Sequence, residues 1–474
     1  MQSTDPRPPG TPSSGHGSAS PAERTTTAAE RRRVTMATVI GTTVEWYDYF
    51  IYASAVGIVF GELFFSGLGE NSVILGFATV GVSFLFRPLG AFLAGHYGDR
   101  IGRKAILMIT LILMGAGTAL IGLLPTYDSI GIAAPIILVV LRCIQGISAG
   151  GEWGGAALLS VEHAPVTKRG IMGSAPQIGV PLGLLAASGV MALMTQIAPG
   201  EAFLAWGWRV PFLLSVVLIA VGYYVRRNVE ESPVFAEIAE RKQETKTPIV
   251  VLFQKYGLVV LVAALVFAGN NAVGYMTTGG FIQRYTTDPE GPIGLEAGPV
   301  LWIVTASAVF WLFSTLAAGA ICDRLGRRTT YILGWVLLGI GVLALFPLVN
   351  QASLGGLFVA LAFLSIGLGF TYGPQAALYT ELFPASVRFS GVSISYALGS
   401  IVGGAFAPTI AAALVSATGS TESVTLYLLG MVIIGLVATL VLRDRSGIPL
   451  GPEHEAEQRV NPLRGSSTAV PVLD

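Results

Sequence analysis

The sequence predicts an all-α membrane protein with twelve transmembrane helices in two pseudo-symmetric six-helix bundles. Three observations carry that prediction. Of 474 residues, 53% are hydrophobic and only 12% charged, and the mean hydropathy of +0.68 lies outside the range of water-soluble domains. The apolar residues gather into runs of the roughly 20 residues a helix needs to cross a hydrocarbon core of about 30 Å. The chain also states one stretch twice: Gly95-His96-Tyr97-Gly98-Asp99-Arg100-Ile101-Gly102-Arg103-Lys104 returns as Gly319-Ala320-Ile321-Cys322-Asp323-Arg324-Leu325-Gly326-Arg327-Arg328, with its Gly, Asp-Arg, Gly and basic pair in register. Glu162, Pro165 and Arg169 return as Glu381, Pro384 and Arg388 at nearly the same offset, so the chain is two related halves with unequal loops.

Residues 1–30, rich in Pro, Ser, Gly and Thr, have too little apolar surface to offset ordering entropy and read as a disordered tail. The first bundle, 31–226, holds apolar runs at 34–61, 72–96, 105–125, 132–160, 171–197 and 208–226. The first run follows a long polar tail and contains Glu45 and Asp48, so it is no cleavable signal peptide. Residues 227–252 form a linker in which Ser232-Pro233, Val234, Phe235 and Ile238 predict a short amphipathic helix, with Glu237 and Arg241 four apart on it. The second bundle, 253–445, holds runs at 253–283, 298–320, 330–349, 353–381, 391–417 and 423–442. From 446 to 474 the chain has several prolines and no heptads, and reads as a second disordered tail.

Loops on the side of the amino terminus carry Arg100, Arg103, Lys104, Lys168, Arg169, Arg226, Arg227, Arg324, Arg327, Arg328 and Arg388, while the opposite loops hold little beyond Arg209 and Arg284. By the positive-inside rule both termini and the twinned loop are cytoplasmic, in a multi-pass protein of the cell membrane. The formal net charge is zero, which gives no support for nucleic acid as a partner. Cys143 and Cys322 make neither a disulfide framework nor a metal box and read as structural thiols, so no metal or cofactor is expected. The four histidines lie in tails or at loop edges and no nucleophile motif is present, which argues against an enzyme.

Ionisable side chains at bilayer depth cost about 2.5 to 3.5 kcal/mol on insertion scales, so the few present are the first functional candidates. Glu45, Asp48, Tyr49 and Tyr52 follow helical spacing and form a polar stripe on the first helix. Taking Val34 as the start, Glu45 lies roughly 16 Å in and Asp48 about 21 Å, near the midplane. Low-dielectric surroundings favour the neutral carboxyl, as a proton carrier needs. Arg87-Pro88 sets a cation beside an expected kink, because the proline cannot donate to the carbonyl of Phe84. Arg142, Gln145, Ala149 and Glu152 share one side of the fourth helix. Arg142 and Glu152 stand about 15 Å apart along the axis, so Arg142 needs another partner, either a carboxylate of helix 1 or an anionic substrate. Static pairs that fix helix register are the alternative reading of these charges.

The second half answers with neutral polarity: Asn270, Asn271, Tyr275, Thr277 and Thr278 before Gly279-Gly280, then Tyr372, Gly373-Pro374, Gln375 and Tyr379, then Ser393, Ser395 and Tyr396. Singly these are helix-packing contacts; together they describe the facing wall of a central cavity.

These residues resemble the major facilitator superfamily. The twinned loop is similar to its most recognisable motif and Arg142-x-x-Gln145-Gly146 to its fourth-helix motif. Glu45-Trp46-Tyr47-Asp48-Tyr49, Phe86-Arg87-Pro88-Leu89-Gly90 and Gly150-Gly151-Glu152-Trp153-Gly154-Gly155-Ala156 resemble the metabolite:proton symporter family, and 34–445 are covered. The resemblance implies the major facilitator fold, alternating access about a central site, and proton-driven uptake of a small metabolite by what is expected to be a monomer in the lipid bilayer. Glu45 or Asp48, the carboxylates of the polar stripe, is then the candidate for proton coupling. Arg142, Arg87, Gln145, Tyr49, Tyr52, Asn270, Asn271, Tyr275, Gln375, Tyr379 and Tyr396 are then the candidates for substrate contact. Gly95, Asp99, Arg100, Gly102, Arg103, Asp323, Arg324, Gly326, Arg327 and Glu152 are the candidates for a latch that breaks as the bundles rock. Family substrates are mainly carboxylates such as shikimate, 2-oxoglutarate and citrate, with proline and betaine in one branch. The run from Phe84 to Pro165 looks most like shikimate-type members. Gly179-Val180-Pro181-Leu182-Gly183 departs from the antiporter pattern, and the carboxy-terminal coiled coil of osmosensing members is absent. A small organic acid is therefore the expected substrate, with a zwitterionic osmolyte as the alternative.

Overall fold

In a bilayer every backbone amide must be satisfied within the chain, so apolar runs of this length become helices. The computed structural model describes residues 28–101, 103–227, 248–278 and 280–463. Helix α1 spans Ala28–Ala55 and passes through a π-helical turn, Val56–Phe60, into Gly61–Phe65. Helices α2 (Ser72–Ile101) and α3 (Arg103–Leu123) follow. Next comes α4 (Ala133–Ala149), which breaks at Gly150-Gly151 and resumes as Glu152–Glu162. Helices α5 (Arg169–Ile197) and α6 (Arg209–Arg227) complete the first half. The second half opens with α7 (Pro248–Thr278), followed by the short helix Phe281–Thr287, and continues with α8 (Ala297–Leu325) and α9 (Arg327–Val349). Helix α10 (Leu354–Tyr372) turns through Gly373-Pro374 into Gln375–Leu382. Helix α11 (Arg388–Gly399) has a π-helical turn, Ser400–Ala405, before Ala407–Thr418, and α12 (Glu422–Val441) ends the bundle. Eleven helices among the described residues are long and apolar enough to cross a membrane. The twelfth is α3, whose apolar stretch is Met108–Leu123. The expected linker helix at Ser232–Arg241 lies outside the described residues.

The halves meet along α5 against α8 and α2 against α11, with α1 touching α7. Close approach is possible because glycine occupies the crossings. A Cβ on Gly57 would lie 2.7 Å from the Gly280 carbonyl oxygen, and Gly280 itself has φ +85°, a backbone that side chains resist. This crossing closes the face opposite the twinned loop, with Gln283 Nε2 donating to Ser54 Oγ at 3.3 Å beside it.

Residues 446–463 correct the expectation of a disordered tail beginning at 446. The segment folds back over the twinned-loop face: Leu442 and Leu463 form an isolated antiparallel bridge, and Arg443 N donates to Pro462 O at 2.8 Å. The buried amide of Gln458 donates to Pro449 O at 2.9 Å and Gly451 O at 2.7 Å, and its oxygen accepts from Ala385 N and Arg388. Arg445 donates to the carbonyls of Leu382, Glu457 and Gln458. Burial pushes its guanidinium down to about 10, still charged near neutrality. Composition predicts order from apolar side chains, whereas this segment is held through its backbone carbonyls by arginines of the bundles.

Candidate functional site

The first half supplies the charge. Glu45 of α1 and Arg87 of α2 form an ion pair at 3.8 Å with both side chains almost wholly buried. The Arg87 guanidinium lies 4.3 Å over the Phe84 ring and 5.8 Å from that of Trp46, and its Nε is buried with no acceptor. Arg142 of α4 makes no ion pair with a helix-1 carboxylate. Its donors go to Gln145 Oε1 at 3.0 Å, Ser83 Oγ at 2.9 Å and the carbonyls of Val80 and Thr79 at 3.2 and 3.5 Å. Its guanidinium also covers the Tyr52 ring at 4.0 Å. Gln145 donates on to Thr118 at 2.7 Å, and the Tyr52 hydroxyl bonds Thr79 at 2.5 Å. Arg142, Gln145 and Tyr52 thus staple α1, α2, α3 and α4 together. Asp48 accepts from Ser215 of α6 at 2.8 Å and makes no ion pair among the described residues. Glu45, Asp48, Tyr49, Ser83, Arg87, Arg142 and Gln145 line one small cavity of about 20 Å³, room for about one water molecule. Glu152, expected with the latch, is instead buried where α4 resumes and lies within electrostatic range of Asp48.

The second half supplies aromatic faces and amides. Tyr275 of α7 packs on Tyr49 at 5.2 Å and Phe84 at 5.6 Å between ring centroids. Lower in the seam, Trp153 stacks on Tyr396 at 3.9 Å and 10°, and Phe267 lies against the same ring at 4.2 Å. Trp153 Nε1 donates to Gln177 Oε1, and Gln177 Nε2 donates to Gln375 Oε1, both at 2.7 Å, which ties the halves through three side chains. Asn270 Oδ1 accepts from Thr371 at 2.7 Å and Asn271 Oδ1 from the Tyr372 hydroxyl at 3.4 Å. Tyr379 donates to Ala263 O, which commits it to packing α10 on α7. Sequence reasoning named most of these residues but passed over Phe84, Trp153, Gln177 and Phe267 as site components. Gln177 carried the clearest signal, being a polar side chain in an apolar helix beside Pro176.

The second copy of the twinned loop bonds across the two halves. Asp323 accepts from the backbone amides of Gly170 and Ile171 at 2.7 and 2.9 Å, in the first turn of α5, where unpaired amides favour an anion. Arg327 reaches Asp323 at 3.0 Å and Glu381 at 3.1 Å, while Arg169 of the first half reaches Glu381 at 3.4 Å. Arg388 pairs across the seam with Glu162 at 3.2 Å. Gly326, at φ +88°, joins α8 to α9, and Arg324 is exposed. The tail segment is part of this closure, since Ile448 O accepts from Arg169 at 2.5 Å and Leu450 O from Arg388 at 2.9 Å. In the first copy, the surroundings of Gly95, the side chains of Asp99, Arg100 and Arg103, and Gly102 altogether, lie outside the described residues.

Two related helical bundles that meet over buried charges are the frame of a membrane transporter. Residues 34–252 match the sugar (and other) transporter family model and residues 290–471 the Major Facilitator Superfamily model. The inner membrane metabolite transport protein YhjE of Escherichia coli is 40% identical over 87% of this chain and 94% of its own length. The shikimate transporter of the same organism is 39% identical over 90% and 97%, and its proline/betaine transporter 31% over 88% and 85%. The chain belongs to the major facilitator superfamily, among its metabolite transporters. Among solved structures, the proton:xylose symporter XylE superposes with a TM-score of 0.69 at 19% identity, covering 90% of this chain and 98% of that one. The inward-open form of XylE from E. coli gives 0.64 at 19% identity, covering 86% and 95%. These likenesses bear on the fold.

Proposed function

We propose that the chain is a proton-coupled symporter that takes up a small organic carboxylate, such as shikimate or a di- or tricarboxylate, by alternating access. It would work as a monomer in the cell membrane with both termini cytoplasmic. The observation that carries this reading is the Glu45–Arg87 pair. Breaking a buried pair by removing one charge costs about 3 to 5 kcal/mol, because the other charge is left uncompensated. Protonating Glu45 alone is therefore unfavourable, and so is bringing an anion to Arg87 while Glu45 keeps its charge. When both happen together the guanidinium exchanges one carboxylate for another, which it can hold bidentately. Asp48, a turn away and without an ion pair, is the second proton site. Rocking then breaks either the Asp323–Glu381 network or the Gly57–Gly280 crossing, never both, and so alternates access to the cavity.

The similarity to a shikimate transporter supports the substrate class. A zwitterionic osmolyte is the alternative, favoured by the aromatic faces of Tyr49, Tyr275 and Trp153, which suit a quaternary ammonium, and by the similarity to a proline/betaine transporter. In proteoliposomes an inward proton gradient is expected to drive carboxylate accumulation, and accumulation indifferent to that gradient would refute the coupling. Glu45→Gln or Asp48→Asn is expected to abolish gradient-driven accumulation while sparing counterflow. If both variants still accumulate substrate, neither side chain carries the proton.

A further inference from the structure

Residues 267, 271 and 275 recur at intervals of four and share one face of α7. At one end of that face Phe267 meets Tyr396 and, at 6.5 Å, Trp153 of the first half. At the other end Tyr275 meets Tyr49 and Phe84, and Phe84 carries the Arg87 guanidinium on its ring. Asn271 lies between them on that face, about 6 Å along the axis from Tyr275. Asn270 and Asn271 are 0% and 1% exposed. Their amide oxygens are used by Thr371 and Tyr372, which turns both amide nitrogens the other way, and both Nδ2 atoms are buried with no acceptor. A buried donor left unmatched costs about 1 to 3 kcal/mol, which leucine in its place would not carry. A Cβ on Gly404, in the π-turn of α11, would stand 2.1 Å from the Tyr275 ring and 3.0 Å from Asn271 Nδ2, so glycine there lets α11 pack directly against this face.

We propose that Asn271, assisted by Asn270, is the specificity-determining donor of the site and reads an acceptor oxygen, hydroxyl or oxo, at the end of the substrate remote from its carboxylate. This rests on the carboxylate reading above and narrows it. Arg87 takes the carboxylate, the Tyr275 and Tyr49 rings cover the carbon skeleton, and the amides take the far oxygens. Hydroxy- and oxo-carboxylates offer such an oxygen, whereas a betaine presents only methyl groups to Asn271 and leaves the donors unmatched.

Calorimetric titration of the purified full-length protein with shikimate, cyclohexanecarboxylate and glycine betaine tests this. The wild type is expected to bind the hydroxylated acid at least tenfold tighter than the bare ring acid, and Asn271→Leu to bring the ratio near one while cyclohexanecarboxylate binding is retained. Asn271→Met, which has no donor and about the same reach, is expected to act alike if the leucine variant fails to fold. A ratio unchanged in a folded variant, a wild-type ratio near one, or betaine binding as tightly as shikimate would each overturn the proposal while leaving carboxylate or osmolyte transport standing. Binding of neither acid by the wild type would overturn the carboxylate reading itself, and this inference with it.

Discussion

Arg87 and Arg142 are both buried guanidiniums of the first half, and their surroundings separate their roles. Arg142 spends its donors on Gln145, Ser83 and two α2 carbonyls, whereas Arg87 has one distant carboxylate and an Nε with no acceptor. Lysine cannot reproduce the Arg142 fork. Arg142→Lys is expected to destabilise the protein by about 3 kcal/mol or more, seen as a lowered melting temperature in detergent. Arg87→Lys keeps the charge beside Glu45 and should melt near the wild type while binding carboxylate about tenfold more weakly. If the two variants exchange these behaviours, the assignment of staple and binding group is reversed. The sequence displayed both arginines plainly, because a charge in an apolar run has little company. It could not display their partners, because pairing depends on how each helix is rotated about its axis, and Arg142 accordingly satisfies itself on backbone that no side-chain motif announces.

At the scale of elements, the spanning helices were legible because some 20 apolar residues leave the backbone little choice. The interruptions were legible in part. Gly373-Pro374 reads directly as a break in α10, while the π-helical turns at Val56–Phe60 and Ser400–Ala405 have no such dipeptide; the first packs on Gly280 and the second on Ala268 of α7. Gly280 bears on the cycle most directly, since at φ +85° it lies against the carbonyl of Ala53. Alanine there adds about 1 to 3 kcal/mol of backbone strain and a clash confined to the closed form of that face. Gly280→Ala is expected to slow uptake roughly 10- to 100-fold with substrate affinity retained. Stopped-flow uptake beside equilibrium binding checks this, and unchanged kinetics would show that the crossing is not part of the cycle.

The whole molecule is held shut on the twinned-loop face by side chains of both halves and by the returning tail. The halves and the residues that bond across them could be read from the repeat, since Asp323, Arg327, Glu381 and Arg388 all stand in repeated positions. The tail could not, because residues 446–463 are ordered by arginines that belong to other elements. Removing 447–474 takes partners from Arg169 and Arg388 and should favour opening of that face. Cys322, fully buried beside Gly170 of the other half, is a native reporter. In a Cys143→Ser background its alkylation by a small maleimide is expected to rise several-fold on truncation, and an unchanged rate would mean the tail bears no part of the closure.

The bridge from Leu463 to Leu442 also has a practical side. Anything grafted onto the carboxyl end hangs from the gate like a weight on a door handle. Transport rates measured on a carboxy-terminally tagged protein would therefore include the drag of the tag, and comparison with an amino-terminally tagged form would measure it.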